Sequence, residues 1–398
     1  MREWVDHAIW WHVYPLGFGR LDKLRGWLDY AVELGVNGLQ LGPVFTSESH
    51  GYDTLDHFEI DPRLGSSADF DALVADCRAR GLRVLLDGVF NHVGRGFSAP
   101  SPDFLRGTVF EGHSGLVELN HDSPAVRDYV IRVMNHWLDR GADGWRLDAA
   151  YAVPPRFWQE TLGEVRKDHP SAWFVGEVIQ GDYVGYLRDS GLDSITQYEL
   201  WKAIWSSIND GNFYELAWAL DRHNKFLESG APLTFVGNHD VTRIASKLTD
   251  SRHLGHALAV LFTVGGVPSI YYGDEQGYRG VKEDRLGGDD EIRPPYPDSP
   301  GDLAPYGWPI YHLHEQLISV RRRHAWLAHA HTTATHLTNT AVALTSTDGS
   351  HRLVTLLNTG DDPYGFDVDL EGLHPVDGSF DGTVPAHDWL ILAPESSH

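Results

Sequence analysis

Short apolar or β-branched runs recur along the first two thirds of the chain, and stretches with helical spacing fill the gaps between them. The runs predict strands at Ile9–Tyr14, Gly38–Leu41, Arg83–Val89, Gly144–Leu147, Trp173–Val178, Ser194–Gln197, Leu233–Val236 and Ser269–Tyr272. The clearest helix begins after Ser123-Pro124, an N-cap followed by proline at the first helical position. Val126, Tyr129, Val130, Val133, Met134, Trp137 and Leu138 then form one continuous stripe at steps of three and four, which Gly141 closes. A second long helix is expected from Tyr311 to His324. Strand and helix alternating in this way imply parallel strands with right-handed crossovers. Eight such units favour a closed (β/α)8 TIM barrel, an α/β fold, over an open doubly wound sheet. No glycine-rich phosphate loop follows the first strand, which weakens a nucleotide-binding reading.

Helical periodicity disappears after about Trp326. Alternating runs such as Ala341–Thr345 and Leu353–Asn358 are punctuated by Asp348-Gly349, Gly360, Gly372, Gly378 and Gly382. The expectation is a catalytic barrel over 1–326 and a small C-terminal antiparallel β domain, a sandwich, over 327–398.

Composition narrows the partners. The formal charge of −24 repels phosphates, which argues against nucleic acid and anionic membrane surfaces. It suits a cytoplasmic protein acting on a neutral ligand. The single cysteine, Cys77, rules out an internal disulfide. It lies on the apolar face of a helical stretch with Phe70, Leu73 and Val74, so it reads as core. The N-terminal residues lack a basic-then-apolar signal pattern, and no apolar run approaches the ~20 residues of a membrane span. Homodimer assembly stays open.

In a (β/α)8 barrel the chemistry sits at the C-terminal ends of the strands. Four ends carry unusual residues: Asp87-Gly-Val-Phe-Asn91-His92, Gly144-Trp-Arg146-Leu-Asp148, Gly176-Glu177 and Gly237-Asn238-His239-Asp240. Each alone has a plain alternative, since an aspartate past a strand is commonly the N-cap of the next helix. Together they would crowd carboxylates, two histidines and an arginine onto one rim, where unpaired charges are costly to desolvate. Such a cluster is tolerated where it serves a reaction. Glycoside hydrolysis needs two carboxyl groups, one to attack or activate and one to protonate the leaving oxygen. Arg146 lies two residues before Asp148 on the same strand face, placed to keep it ionised. A His₂/carboxylate metal site competes at the level of composition, but no HExxH-type pairing accompanies it.

These four segments resemble the signature regions of the α-amylase superfamily, glycoside hydrolase family 13. Tyr14-Pro15, Gly51-Tyr52-Asp53-Thr54, Ile60-Asp61-Pro62, Leu119-Asn120-His121-Asp122 and Gly266 to Glu275 are similar to further stretches of it, in family order from about Ile9 to Arg323. The flavour is that of cytoplasmic cyclomaltodextrinases and neopullulanases, or of oligosaccharide α-glucosidases. The resemblance implies a retaining hydrolase of α-glucosidic bonds, α-1,4 and/or α-1,6, in short linear or cyclic malto-oligosaccharides. It makes Asp148 the nucleophile, Glu177 the general acid and then base, and Asp240 the ligand of the O2 and O3 hydroxyls of the reacting sugar. His92 and His239 would hydrogen-bond that sugar, Tyr52 would stack on it, Arg146 would orient Asp148, and Asp87 would support Arg146. Arg293 would pair with Asp53 to close the pocket beyond the sugar.

The sequence departs from the family in two places. The segment 93–120, studded with glycine and proline, is too short for the usual domain B and reads as a long loop. Asn91 keeps a calcium-type position, but only Asp103 and Glu111 are near it in that loop, so no metal ligands are assigned and calcium is not expected to be essential. The extra N-terminal domain usual in cyclomaltodextrinases and neopullulanases is not expected before the first strand. Trp201, Trp205, Phe213, Tyr214 and Trp218 offer sugar platforms, although the helical spacing of most of them favours packing. The nearest rival function is a transglycosylase or isomerase of the same superfamily. A non-catalytic binding protein and a metal-dependent barrel hydrolase are the more distant ones.

Overall fold

A computed structural model describes residues 3–285 and 287–394. By compactness the chain divides into two units, one holding 10–196 with 293–303, the other 3–9, 197–292 and the residues from 304 onward.

In the first unit six parallel strands follow one another in chain order: β1 (Trp10–Val13), β2 (Gly38–Leu41), β3 (Arg83–Gly88), β4 (Gly144–Leu147), β5 (Trp173–Gly176) and β6 (Ser194–Ile195). Helices α1 (Leu28–Leu34), α2 (Ser67–Ala79), α3 (Pro124–Asp139), α4 (Pro155–Asp168) and α5 (Tyr183–Ser190) return the chain between them. The second unit continues with α6 (Tyr198–Asp210), α7 (Phe213–Leu227), β7 (Leu233–Thr234), α8 (Leu254–Thr263), β8 (Val267–Tyr271) and α9 (Trp308–Arg323). The eight parallel strands belong to one sheet, that of a (β/α)8 barrel.

Each strand lies where its apolar run predicted, displaced by a residue or two. β8 starts earlier than expected because Val267 N–H already bonds Pro232 O at 2.8 Å. The strands are buried along almost their whole length, which is why they read as continuous apolar runs rather than alternations. Inside the first unit Trp10 stacks on Trp173 with centroids 5.8 Å apart and planes 7° from parallel. Gly38 makes room for that stack, since a Cβ there would lie 2.4 Å from the Trp10 ring. In α3 the whole predicted stripe is buried. Gly141 follows at φ +104°, a left-handed conformation that ends the helix. Ser66 and Asp69 form a capping box on α2, and Cys77 is buried on that helix. Burial pushes the Cys77 thiol up to about 12, which leaves it inert.

Two sheets in the first unit were not anticipated. Phe45–Ser47 and Thr54–Ile60 form an antiparallel hairpin that carries Tyr52 and Asp53 in its turn. The segment read as a loop after β3 folds into a small antiparallel sheet of His92–Gly94, Leu116–Leu119 and Leu105–Val109. Its strand Leu105–Val109 is almost wholly exposed, so it lacks the apolar signature by which buried strands are recognised.

At the C-terminus β9 (His331–Leu337), β10 (Ala341–Thr347), β11 (Arg352–Asn358), β12 (His374–Pro375) and β13 (Asp388–Ala393) form an antiparallel sheet in the order 9-10-11-13-12. Ala343, Val354, Leu356, Leu373, Val384 and Leu392 make its core. α8 packs against β11 and β13 and is tied to the sheet by polar bonds, His256 to Asn358 O at 3.0 Å and Thr355 to Thr263 at 2.9 Å. In the same unit the segment 3–9 is held by an Asp6–His329 contact of 3.0 Å. Among the described residues no helix is long and apolar enough to cross a membrane.

Candidate active site

The parallel register sets Asp87 of β3 directly beside Arg146 of β4. The ladder continues one step past both strand ends: Asp148 N–H bonds Gly88 O at 3.0 Å, and Glu177 N–H bonds Leu147 O at 2.9 Å. Three carboxylates are thereby delivered to one guanidinium. Arg146 Nη1 donates to both Asp87 oxygens, at 2.9 and 3.1 Å, and to Asp148 Oδ1 at 2.8 Å. Its Nη2 lies 2.6 Å from Glu177 Oε1. The other Glu177 oxygen accepts from Ala149 N–H at 2.9 Å, and Ala149 holds φ +44°, a strained value for a residue with a side chain. Tyr52 donates its hydroxyl to Asp87 at 3.1 Å.

All four charged groups are buried. Burial drives the pKa of Asp87 up against the pull of Arg146, and Asp148 and Glu177 push it the same way. Burial alone would lower the pKa of Arg146, but Asp87 and Glu177 beside it raise it well above its ordinary value. One cation facing three carboxylates is an arrangement in which the anions compete, so at least one carboxyl is disposed to hold a proton.

His92 is stacked on Phe110, with centroids 4.6 Å apart, and its Nε2 lies 3.9 Å from Asp148 Oδ2. Burial holds its pKa down at about 4, so the ring is neutral near neutrality and able to accept or donate one hydrogen bond. In the second unit His239 Nε2 is 2.9 Å from Asp240 Oδ2, and Asp240 N–H closes a turn onto Asn238 Oδ1 at 2.9 Å. Asp240 is half-buried.

One expected contact is not among those the structure shows. Asp53 is buried but bonds Ser49 Oγ at 2.5 Å and faces His50 at 3.8 Å, not Arg293. The guanidinium of Arg293 lies over the Tyr14 ring, 4.7 Å from its centroid. The hairpin turn at Ser49–Asp53 folds the carboxylate back onto its own backbone, a local preference that outcompetes the distant partner.

Sequence reading missed the contribution of the small sheet after β3. Phe110 floors His92, and Glu111, at φ +48°, accepts from Tyr151 OH at 2.7 Å just beyond Asp148. Burial, reinforced by Glu111, pushes the Tyr151 hydroxyl up. A positive φ at a non-glycine residue cannot be read from sequence. Of the aromatics after β6, Phe213 is core, whereas Tyr214 and Trp218 are exposed one turn apart on α7. Arg222 covers the Trp218 ring at 5.2 Å.

Comparison with known proteins adds to this geometry. The profile of the alpha-amylase catalytic domain matches residues 12–100 and 108–302. The chain is 28% identical over 343 residues to a maltogenic alpha-amylase of Bacillus acidopullulyticus, covering 71% of this chain and 58% of that protein. It is 30% identical over 348 residues to a cyclomaltodextrinase of Thermoanaerobacter pseudethanolicus, covering 70% and 58%. The chain thus spans a little under three fifths of the curated relatives it matches. Over 99% of both chains it superposes on an acarbose-soaked debranching enzyme of Nostoc punctiforme, with a TM-score of 0.84 and 26% identity. A cyclic α-maltosyl-(1→6)-maltose hydrolase of Arthrobacter globiformis, 24% identical with a TM-score of 0.85 over 98% and 100% of the chains, shares the fold.

Proposed function

The chain belongs to the alpha-amylase family of glycoside hydrolases, and from that premise we propose that it cleaves α-glucosidic bonds in short malto-oligosaccharides, linear or cyclic, with retention. The observation that carries the reading is the single Arg146 guanidinium holding Asp148 on one nitrogen and Glu177 on the other. Sharing one guanidinium keeps the two carboxyl groups close, as retaining enzymes need; an inverting enzyme leaves room between them for water.

Asp148 attacks the anomeric carbon while Glu177 gives its proton to the departing oxygen, leaving a β-glucosyl ester on Asp148. Glu177 then takes a proton from water, and that water displaces Asp148. Asp240 engages the O2 and O3 hydroxyls of the reacting sugar. Neutral His92 bonds the same sugar, as does His239, and Tyr52 stacks on it from the turn of its hairpin. The printed names of the relatives, maltogenic amylase and cyclomaltodextrinase, support short or cyclic α-glucans as substrates. The cytoplasm, where imported oligosaccharides are the available α-glucans, is the proposed compartment.

Enzymes of this family need no organic cofactor. Calcium independence is part of the proposal, because the groups nearest a calcium-type position are otherwise engaged. Asn91 bonds His92 at 3.1 Å, Asp103 accepts from Ser101 and Ser123, and Glu111 from Tyr151.

The test is incubation with maltotriose through maltohexaose, cyclodextrins and soluble starch, with product analysis and proton NMR of the first product. Expected are the α-anomer, hydrolysis in excess over transfer, and higher kcat/KM on the short or cyclic substrates than on starch per reducing end. Initial β-anomer would refute the double displacement. Longer products ahead of glucose and maltose would make the chain a transglycosylase.

A further inference from the structure

The second unit carries a cluster that the proposed chemistry does not use. Among the described residues, Asp250, His253 and His387 form the one group of histidine and carboxylate ligand atoms lying within 4.8 Å of one another. His253 follows Asp250 in the turn that leads into α8, and His387 immediately precedes β13. The three are adjacent because α8 packs on β13.

The orientation of the rings is more telling than their proximity. His253 Nε2 faces His387 Nδ1 at 3.0 Å, while the far nitrogen of His387, Nε2, lies 2.9 Å from Asp361 Oδ1. With its Nε2–H given to Asp361, His387 presents a bare Nδ1 lone pair to His253. A carboxylate on the outer nitrogen and a lone pair aimed inward is the pattern that orients histidines around a metal ion. Asp250 is held by the guanidinium of Arg252, whose side chain is 59% exposed and can return to water. His387 itself sits at φ +54°.

We propose that Asp250, His253 and His387 bind a divalent transition-metal ion of the zinc class, with Asp361 orienting His387. Two imidazole nitrogens and one carboxylate suit zinc, cobalt or nickel and not calcium or magnesium, which prefer oxygen ligands. Around a tetrahedral ion with bonds of about 2.0–2.1 Å, ligand nitrogens stand about 3.4 Å apart. The two rings therefore need to part by only a few tenths of an ångström. Binding moves the His253 proton from Nε2 to Nδ1 and frees Arg252 from Asp250. The ion would pin the segment before β13 to the start of α8, and so acts on stability rather than turnover.

The full chain is stripped with EDTA, exchanged into chelator-free buffer and titrated with CoCl2 and ZnCl2. One Co2+ per chain with ligand-field absorption is expected. Tm should rise to saturation at one equivalent of Zn2+, with no response to CaCl2 and no change in kcat. His387→Asn keeps a side chain that tolerates the left-handed backbone and should abolish the cobalt spectrum. Asp250→Asn should weaken binding at least about tenfold, and Asp361→Asn by about 10–100-fold. Because Asp361 is almost fully exposed, its variant folds whatever the outcome. Absence of stoichiometric uptake overturns the proposal. So does uptake of the same stoichiometry and affinity in all three variants, which would place the ion on other histidines.

Discussion

Each unit buries an arginine against aspartate, and the two sites are built on opposite principles. In the second unit Arg243 is fully buried and answered one for one. It donates to Asp274 Oδ1 at 2.8 Å and to the carbonyls of Tyr272 and Ile292 at 2.9 Å each, and lies 4.5 Å over the Tyr271 ring. In the first unit Arg146 is answered three times over by Asp87, Asp148 and Glu177. A balanced pair welds surrounding segments together and gains nothing from losing a partner. An overloaded one holds carboxylates in a state where giving up or taking a proton is easy, which a structural site has no reason to do.

Removing carboxylates from the overloaded site has the largest expected effect. Asp148→Asn and Glu177→Gln should each lower kcat by at least ~10³. Tm should be unchanged or raised, because each removes one of the surplus buried anions. A loss of stability with normal turnover would make this cluster structural as well. The opposite pattern is expected at the balanced site. Arg243→Met leaves Asp274 buried without its cation and should cost about 3–5 kcal/mol in denaturant unfolding. The protein that remains folded should keep its kcat. Arg243→Met/Asp274→Leu should recover part of that loss.

Acid acts on the two sites differently. Burial raises Asp274 to about 6, against Arg243. The folded protein therefore takes up that proton below about 6 and the unfolded chain only near 3.8, so at this group acid favours folding between those values. Buried His57, His92, His223, His256 and His314 run the other way, each held by burial at about 4 against 6.5. The unfolded chain binds more protons between 6.5 and 4, and each histidine removes up to about 1.4 kcal/mol per pH unit there. Tm should fall steeply as pH drops from 6.5 to 4. Asp274→Asn should fall more steeply still below pH 6. Equal slopes for the two proteins would mean that Asp274 is charged throughout. The smallest effect is expected at the edge of the overloaded site. Tyr52→Phe removes the bond to Asp87 and should cost about 1 kcal/mol in stability. Its kcat/KM should fall less than tenfold; a loss equal to that of Asp148→Asn would move Tyr52 into the proton transfer itself.

The barrel was legible because burial on both faces leaves the strands as largely apolar runs, unbroken at Trp173–Gly176. The strand-end motifs pointed to Asp87, Arg146, Asp148 and Glu177 because register places strand ends side by side. What escaped depends on backbone or on distance along the chain. Leu105–Val109 is a strand by its ladder and not by its side chains. Phe110 and Glu111 become visible only once that sheet forms. Asp53 turned inward to Ser49 because a local hydrogen bond needs no distant partner to be in place. Arg243 gave no motif, Asp274 sat in a family-like stretch with no partner attached to it, and His253 and His387 are separated by most of the second unit.

The placement of residues 3–9 in the second unit has a consequence in time. Asp6 leaves the ribosome about 320 residues before His329, its partner, exists. At about 5–20 residues per second of synthesis, that interval is roughly 15–65 s. Trp10, next along the chain, belongs to the unit completed much earlier apart from residues 293–303. During synthesis the apolar side chains of Val5 and Ile9 therefore wait without their final neighbours, and their docking is a late, long-range step. A circular permutant that carries this segment after β13 would remove the wait.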